Sequence, residues 1–178
     1  MNYLFRPARM QELDEVAAFF KRAIAHMKTQ GIEQWDEVYP SASDLLTDIQ
    51  RGELYVLLHD TAIASAVVLN EEQDADYRFA EWTDTTGRPA VIHRLCVHPH
   101  FQGMGVGHKT MLLAHEHLIR LGYSSVRLDT FEKNPQALAL YERLGYHRTG
   151  QACWRKGRFF LYEKLLCTYR GTSGQQKQ

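Results

Sequence analysis

The chain has 178 residues, 44% of them hydrophobic and 24% charged, with Lys plus Arg and Asp plus Glu each numbering 21. That length buries a core without metal or disulfide help, and the proportions exclude a disordered or membrane-embedded chain. Zero net charge removes any global field for nucleic acid or anionic lipid, so charged partners must be met locally.

The opening MNYLFRPARM has no apolar signal core, and no apolar run approaches the roughly 20 residues that span a bilayer. A cytoplasmic protein is expected, with neither nucleic acid nor membrane as partner. Cys96, Cys153 and Cys167 are an odd set without CxxC spacing, which fits reduced, structural thiols.

Tyr3 to Arg6 reads as a first strand ended by Pro7. From Met10 to Lys28, apolar Leu13, Val16, Phe19, Phe20, Ile24 and Met27 recur at helical spacing. Gly31 closes that helix, and the aromatic, acidic loop GIEQWDEVYP leads to a helix from Asp44 to Arg51, capped by Ser43 or Ser41. Leu54 to Leu58 and Ala62 to Leu69 form a hairpin around His-Asp-Thr.

Asn70 to Pro89 then breaks the pattern with six acidic residues, Glu71, Glu72, Asp74, Asp76, Glu81 and Asp84. It is either a solvated excursion or, as long loops in compact domains often are, a functional one. Val91 to Val97 is a strand, Val106 to Arg120 a helix stopped by Gly122, Val126 to Phe131 a strand, Pro135 to Leu144 a helix stopped by Gly145, and Arg158 to Leu166 a final strand. A single domain over residues 1–168 and a polar, disordered tail over 169–178 are expected.

The stretch HFQGMGVGHKTM joins the fourth strand to the next helix. Gly103 to Thr110 nearly spells the nucleotide-binding P-loop, but His108 stands where the second glycine is required. A dinucleotide fingerprint fails too, since the spacing is GxGxG and the position is late in the chain. The shared physics survives: Gly103, Gly105 and Gly107 free successive backbone N–H groups to converge on an anion at the positive end of a helix. A turn alone needs one or two glycines; three favour a pyrophosphate.

LCVHPHFQGMGVGHKTML, Leu95 to Leu113, resembles the coenzyme A loop of the GCN5-related N-acetyltransferase (GNAT) superfamily, through Gln102, Gly105 and Gly107. NPQALALYERLGYHRTG, Asn134 to Gly150, is similar to that superfamily's downstream helix and strand. The resemblance covers Tyr3 to Leu166. It implies an α/β (α+β) fold: a mixed, mostly antiparallel sheet of about seven strands flanked by about four helices, with two central parallel strands splayed apart. It also implies acetyl-CoA as co-substrate and an N-acetyltransferase moving acetyl to a primary amine of a small molecule or peptide. A coenzyme-A-binding sensor on the same fold, without turnover, is the alternative.

The cofactor-binding residues so implied are Leu95, Cys96 and Val97 along the strand edge, Gln102, Gly103, Met104, Gly105, Val106, Gly107 and His108 around the phosphates, and Asn134 and Tyr141 on the downstream helix. Asn134 precedes Pro135 and is by itself a natural N-cap. The Val97 N–H is the expected oxyanion donor. Tyr141, a phenol protonated at neutral pH, is the expected acid for the leaving thiolate, although its spacing with Leu138 and Leu144 also suits a core tyrosine.

For the base, the resemblance points to His93, with Glu37, Glu81 and Asp129 in reserve. Strand alternation places Val91, His93, Leu95 and Val97 on one face, and Ile92, Arg94 and Cys96 on the other. The acceptor is expected among Trp35, Glu37 and Tyr39 of the first loop and Glu81 of the excursion, where aromatic walls and carboxylates suit a cation. His98, His100, His115 and His117 form no ligand set, so no metal is expected. The acceptor's identity and a homodimer are both left open.

Overall fold

The computed structural model describes residues 2–36 and 38–166. The expectations for Glu37, Cys167 and the tail lie outside those residues.

Among the described residues seven strands form one sheet: β1 (Tyr3–Pro7), β2 (Leu54–His59), β3 (Ala62–Asn70), β4 (Pro89–Val97), β5 (Ser125–Phe131), β6 (His147–Trp154) and β7 (Gly157–Leu165). Their order is β1-β2-β3-β4-β5-β7-β6. Every neighbouring pair is antiparallel except β4 with β5. The α-helices among the described residues cover it: α1 (Leu13–Thr29), α2 (Ala42–Gln50), α3 (Val106–Arg120) and α4 (Pro135–Arg143).

Helices α1 and α2 pack on one face. Val16, Phe19 and Phe20 of α1 and Leu45 and Ile49 of α2 meet Leu54, Val56, Ala66, Val68 and Cys96 of the sheet. On the other face Met111, Ala114 and Leu118 of α3, with Tyr141 and Leu144 at the end of α4, enclose Val67, Ala90, Ile92, Val126 and Leu128. Ser41, not Ser43, caps α2: its hydroxyl accepts from Asp44 N at 3.1 Å while Asp44 Oδ2 accepts from Ser41 N at 2.7 Å. This reciprocal box satisfies two donors that a helix end leaves open.

Two features of β4 position the site. Its parallel ladder with β5 runs from Pro89↔Ser125 to Ile92↔Leu128 and stops, so the strands part beyond Ile92, as the resemblance implies. On the opposite side the ladder with β3 slips, Val68 pairing with His93 and Ala66 with Cys96. One extra residue is therefore accommodated in β4, where Arg94 adopts φ 54°. Such a bulge reverses the side-chain alternation beyond it.

The simple alternation is thereby corrected. Leu95 packs with Ile92 in the α3/α4 core and Val97 beside Val106 of α3, whereas Cys96 joins the α1/α2 core.

Strand β6 has no signature of its own in the sequence. It is an edge strand with Ala152 as its one buried position, so the burial that imprints an alternating pattern is missing.

Candidate active site

Helix α3 begins at Gly105, which has φ 76° and offers no side-chain cap. The N–H groups of Val106, Gly107 and His108 belong to the first turn and have no acceptor within the helix; the first helical bond runs from Lys109 N to Gly105 O at 3.0 Å. Gly103 has φ 75°, again the left-handed region, where a Cβ is strained. Gly107 is not forced by the protein itself: a Cβ there would meet Val97 Cγ2 at 3.4 Å and Leu140 Cδ2 at 3.5 Å, ordinary van der Waals contact. The result is a bare concavity of amide donors at a helix N-terminus, which suits a pyrophosphate.

That concavity opens into a cavity of about 480 Å³ walled by the end of β4, the glycine loop, α4 and the end of α1. Leu95, Cys96, Val97, Gln102, Gly103, Gly105, Val106, Gly107, His108, Asn134 and Tyr141 all line it. Met104 does not: its side chain is exposed and its N–H turns back to Phe101 O at 3.4 Å. Because His98 N donates to Ala64 O on β3, alternation along the backbone directs the Val97 N–H the other way, into the gap. Gln102 is engaged with the protein, its Nε2 donating to Val97 O at 3.4 Å and its Oε1 lying 3.2 Å from His26 Nε2. The Cys96 thiol is buried and its pKa is pushed up by desolvation, so it contributes backbone rather than reactivity.

A second cavity, of about 780 Å³, lies on the other side of the same opening. Met27, Leu95, Asn134, Ala137 and Tyr141 line both. Tyr141 therefore stands where the two meet. Its phenol is kept protonated, since burial first and the nearby Asp129 second push its pKa up. Asn134 Oδ1 accepts from Ala137 N at 3.1 Å, capping α4, while its Nδ2 donates to Gln34 Oε1 at 3.0 Å.

The larger cavity draws on separate parts of the chain: Trp35 and Tyr39 of the loop after α1; Asn70, Glu72, Gln73, Asp74 and Tyr77 of the excursion; His93 and Arg94 of β4; Asp129 of β5; and Arg155 and Lys156 of the β6–β7 turn. Trp35 also packs on the α1/α2 core, 6.0 Å from the Phe20 ring. Asp36 ties two of the walls together, pairing with Arg155 Nη1 at 2.8 Å and Lys156 Nζ at 2.7 Å. Those two cations hold its carboxyl well below the usual range.

The excursion thus faces the cavity, but through Tyr77 and its neighbours rather than through Glu81. Glu81 is exposed, bonds by its backbone to Thr149 O and is not part of the lining.

His93 and Asp129 differ sharply as bases. His93 Nε2 lies 3.0 Å from both Asn70 Oδ1 and Glu72 O, two acceptors that place the proton on that nitrogen. Desolvation, then the adjacent Arg94, push its pKa down to about 4. Asp129 moves the opposite way: desolvation raises it to about 6, against the opposing hydrogen bond from Tyr77. A carboxylate near pKa 6 is better matched to accepting a proton at neutral pH than an imidazole near 4. Nothing in the sequence around Asp129 marks it as the base, because the desolvation that raises its pKa arises only in the folded surroundings of β5.

A mixed sheet opened between two parallel strands, with an amide cradle at one mouth and a polar cavity at the other, is an arrangement that can hold an anionic carrier against a second substrate. The family model described as acetyltransferase (GNAT) family matches residues 17–146, and the chain belongs to that family. It is an N-acetyltransferase. It is 25% identical over 168 residues to S-(2-succino)cysteine N-acetyltransferase of Bacillus subtilis, covering 92% of this chain and 96% of that one. A GNAT-family acetyltransferase from Streptococcus agalactiae has the same fold, with TM-score 0.82 and 24% identity over 92% of this chain and 95% of its own. The PaiA N-acetyltransferase of Thermoplasma acidophilum, solved in complex with coenzyme A, aligns at TM-score 0.70 and 17% identity over 93% and 99% of the two chains.

Among the described residues no helix is long and apolar enough to cross a membrane.

Proposed function

We propose that the protein transfers the acetyl group of acetyl-CoA to the primary amine of a small molecule by direct attack on the thioester. The observation that carries this is the meeting of the two cavities at Tyr141. The bare N–H groups of the α3 cradle fit the coenzyme's pyrophosphate, and the unpaired edge of β4 fits its amide-bearing arm. The thioester then reaches the junction, where the Val97 N–H is oriented to stabilise the developing oxyanion.

The amine enters from the larger cavity. Asp129 takes a proton from the acceptor ammonium, the freed lone pair forms the new C–N bond, and the C–S bond breaks. Tyr141 gives its proton to the departing sulfur and is restored by the proton shed from the nitrogen. His93, neutral and bound to Asn70 and Glu72, orients the start of the excursion.

A small acceptor is favoured over a protein chain because the Asp36 pairs join the loop after α1 to the β6–β7 turn. The relative that acts on S-(2-succino)cysteine supports an acceptor of amino-acid size. Release of free thiol from acetyl-CoA, measured with a panel of amines, tests the reading. Tyr141→Phe should lower kcat about 100-fold while calorimetry shows coenzyme affinity intact. A protein that binds coenzyme A yet releases no thiol with any amine would instead be a sensor.

A further inference from the structure

Arg94 carries more unused hydrogen-bonding capacity than a largely enclosed cation ordinarily keeps. It lines the larger cavity, with its side chain 13% exposed. Among the described residues its one ionic partner is Asp48, which engages Nη1 alone, at 3.0 and 3.2 Å. Nε is enclosed and has no partner. Since Nη1 is taken and Nε is shut off, Nη2 is the nitrogen a ligand can reach, and no acceptor among the described residues meets it.

The backbone points the same way. Arg94 is the non-glycine residue at φ 54° in the β4 bulge, a conformation that costs free energy and collects at ligand sites. Its guanidinium is seated over the Tyr39 ring, 5.0 Å from the centroid, which fixes the plane of the fork.

The acids of the cavity do not answer it. Asp44 closes the α2 capping box, Glu72 pairs with Arg51, Asp74 caps the turn at Asp76, and Asp129 receives Tyr77. Beyond the Asp48 carboxylate on Nη1, no oxyanion among the described residues meets the Arg94 fork at Nη2.

We infer that Arg94 binds a carboxylate of the acceptor, and that the acceptor is therefore an amino acid or a close derivative, its carboxylate on Nη2 and its amine toward Asp129. This rests on the transfer reading above. The placement is compatible with a short zwitterion: the β4–β5 register ends at Ile92↔Leu128, so Asp129 and Arg94 follow within two residues on strands that part around the cavity. A polyamine would leave Nη2 without an acceptor, whereas a carboxylate supplies one.

The test uses matched pairs of amino acids and their decarboxylated amines in the thiol-release assay. With the unaltered protein, kcat/KM should favour the carboxylated member roughly 10- to 100-fold, the range of a charge-assisted hydrogen bond. Arg94→Met should bring that ratio to about one. Because Arg94→Met alone strands Asp48 in the interior, the paired variant Arg94→Met/Asp48→Leu removes both charges together, and retained acetyl-CoA affinity shows that it folds. Equal use of both members by the unaltered protein, or a preference that persists in the folded pair variant, overturns the inference while leaving acetyl transfer standing. Failure of every amine to produce thiol release overturns both.

Discussion

The Tyr77 phenol donates a 2.9 Å hydrogen bond to Asp129 Oδ1, joining the excursion between β3 and β4 to the strand beyond the gap. Tyr77 is 1% exposed, so the bond lies where water competes poorly and its effect on the carboxylate is large. It favours the charged form, whereas the surrounding desolvation favours the neutral one. Their balance leaves Asp129 near 6.

If Asp129 is the proton acceptor, it works only when ionised. Activity should therefore fall on the acid side, with kcat/KM bending near pH 6, and Asp129→Asn should lower kcat/KM by about 10²–10⁴ and abolish the bend. His93→Gln discriminates the alternative. A histidine near 4 acting as base would place the bend two units lower and the loss with His93.

Tyr77→Phe tests the balance itself. Removing the donor deprives the ionised carboxylate of support while the desolvation stays, so the Asp129 pKa must rise. The acid bend should move above 6, giving a several-fold loss at pH 7 that is recovered at pH 8. A residue that only filled space would leave the bend in place. The unmet carboxylate oxygen should also cost about 1–3 kcal/mol of stability, read as a lower urea midpoint.

How much of this was legible in the sequence depended on how local its cause is. The glycine loop could be read because Gly103 and Gly105 answer a backbone demand, φ above 70°, that leaves its mark residue by residue. The helices α1 and α3 could be read because each buries one periodic face, and β3 because it is a near-continuous apolar run buried on both faces. The bulge at Arg94 was not legible, since nothing in VIHRLCV marks the extra residue; the slip appears only against β3. The acceptor cavity was half legible. Trp35 and Tyr39 could be named as its wall, but the partners that fix that wall, Arg155 and Lys156, are more than a hundred residues away from Asp36.

The cradle makes a separate prediction. A Cβ at Gly105 would meet no atom within 4 Å, so a side chain there fits in space and bears only the strain of φ 76°, about 1–2 kcal/mol. Gly105→Glu should consequently fold yet lose coenzyme A affinity at least 100-fold, because a carboxylate occupies the place of a pyrophosphate. Gly52→Glu is the control. It has φ 69° and equally open surroundings in the turn before β2, remote from both cavities, and should share the strain while leaving calorimetric affinity unchanged.

Glu163 links stability to catalysis. It is 0% exposed on β7, accepts from Thr83 N at 2.6 Å and pairs with Arg127 Nε at 3.4 Å. Arg127 in turn donates to Gln73 Oε1 at 2.9 Å and Asp84 O at 2.7 Å, and lies 4.3 Å from the Trp82 ring centroid. These two residues hold both ends of the excursion that delivers Tyr77 to Asp129. Glu163→Leu strands the Arg127 charge and should cost about 3–5 kcal/mol; Glu163→Gln keeps the shape and some of the bonds and should cost less. In the milder variant, hydrogen exchange should quicken from residue 73 to 84 before it does elsewhere. Its kcat/KM should fall with the acid bend displaced, since a loosened Tyr77 no longer opposes the rise of Asp129.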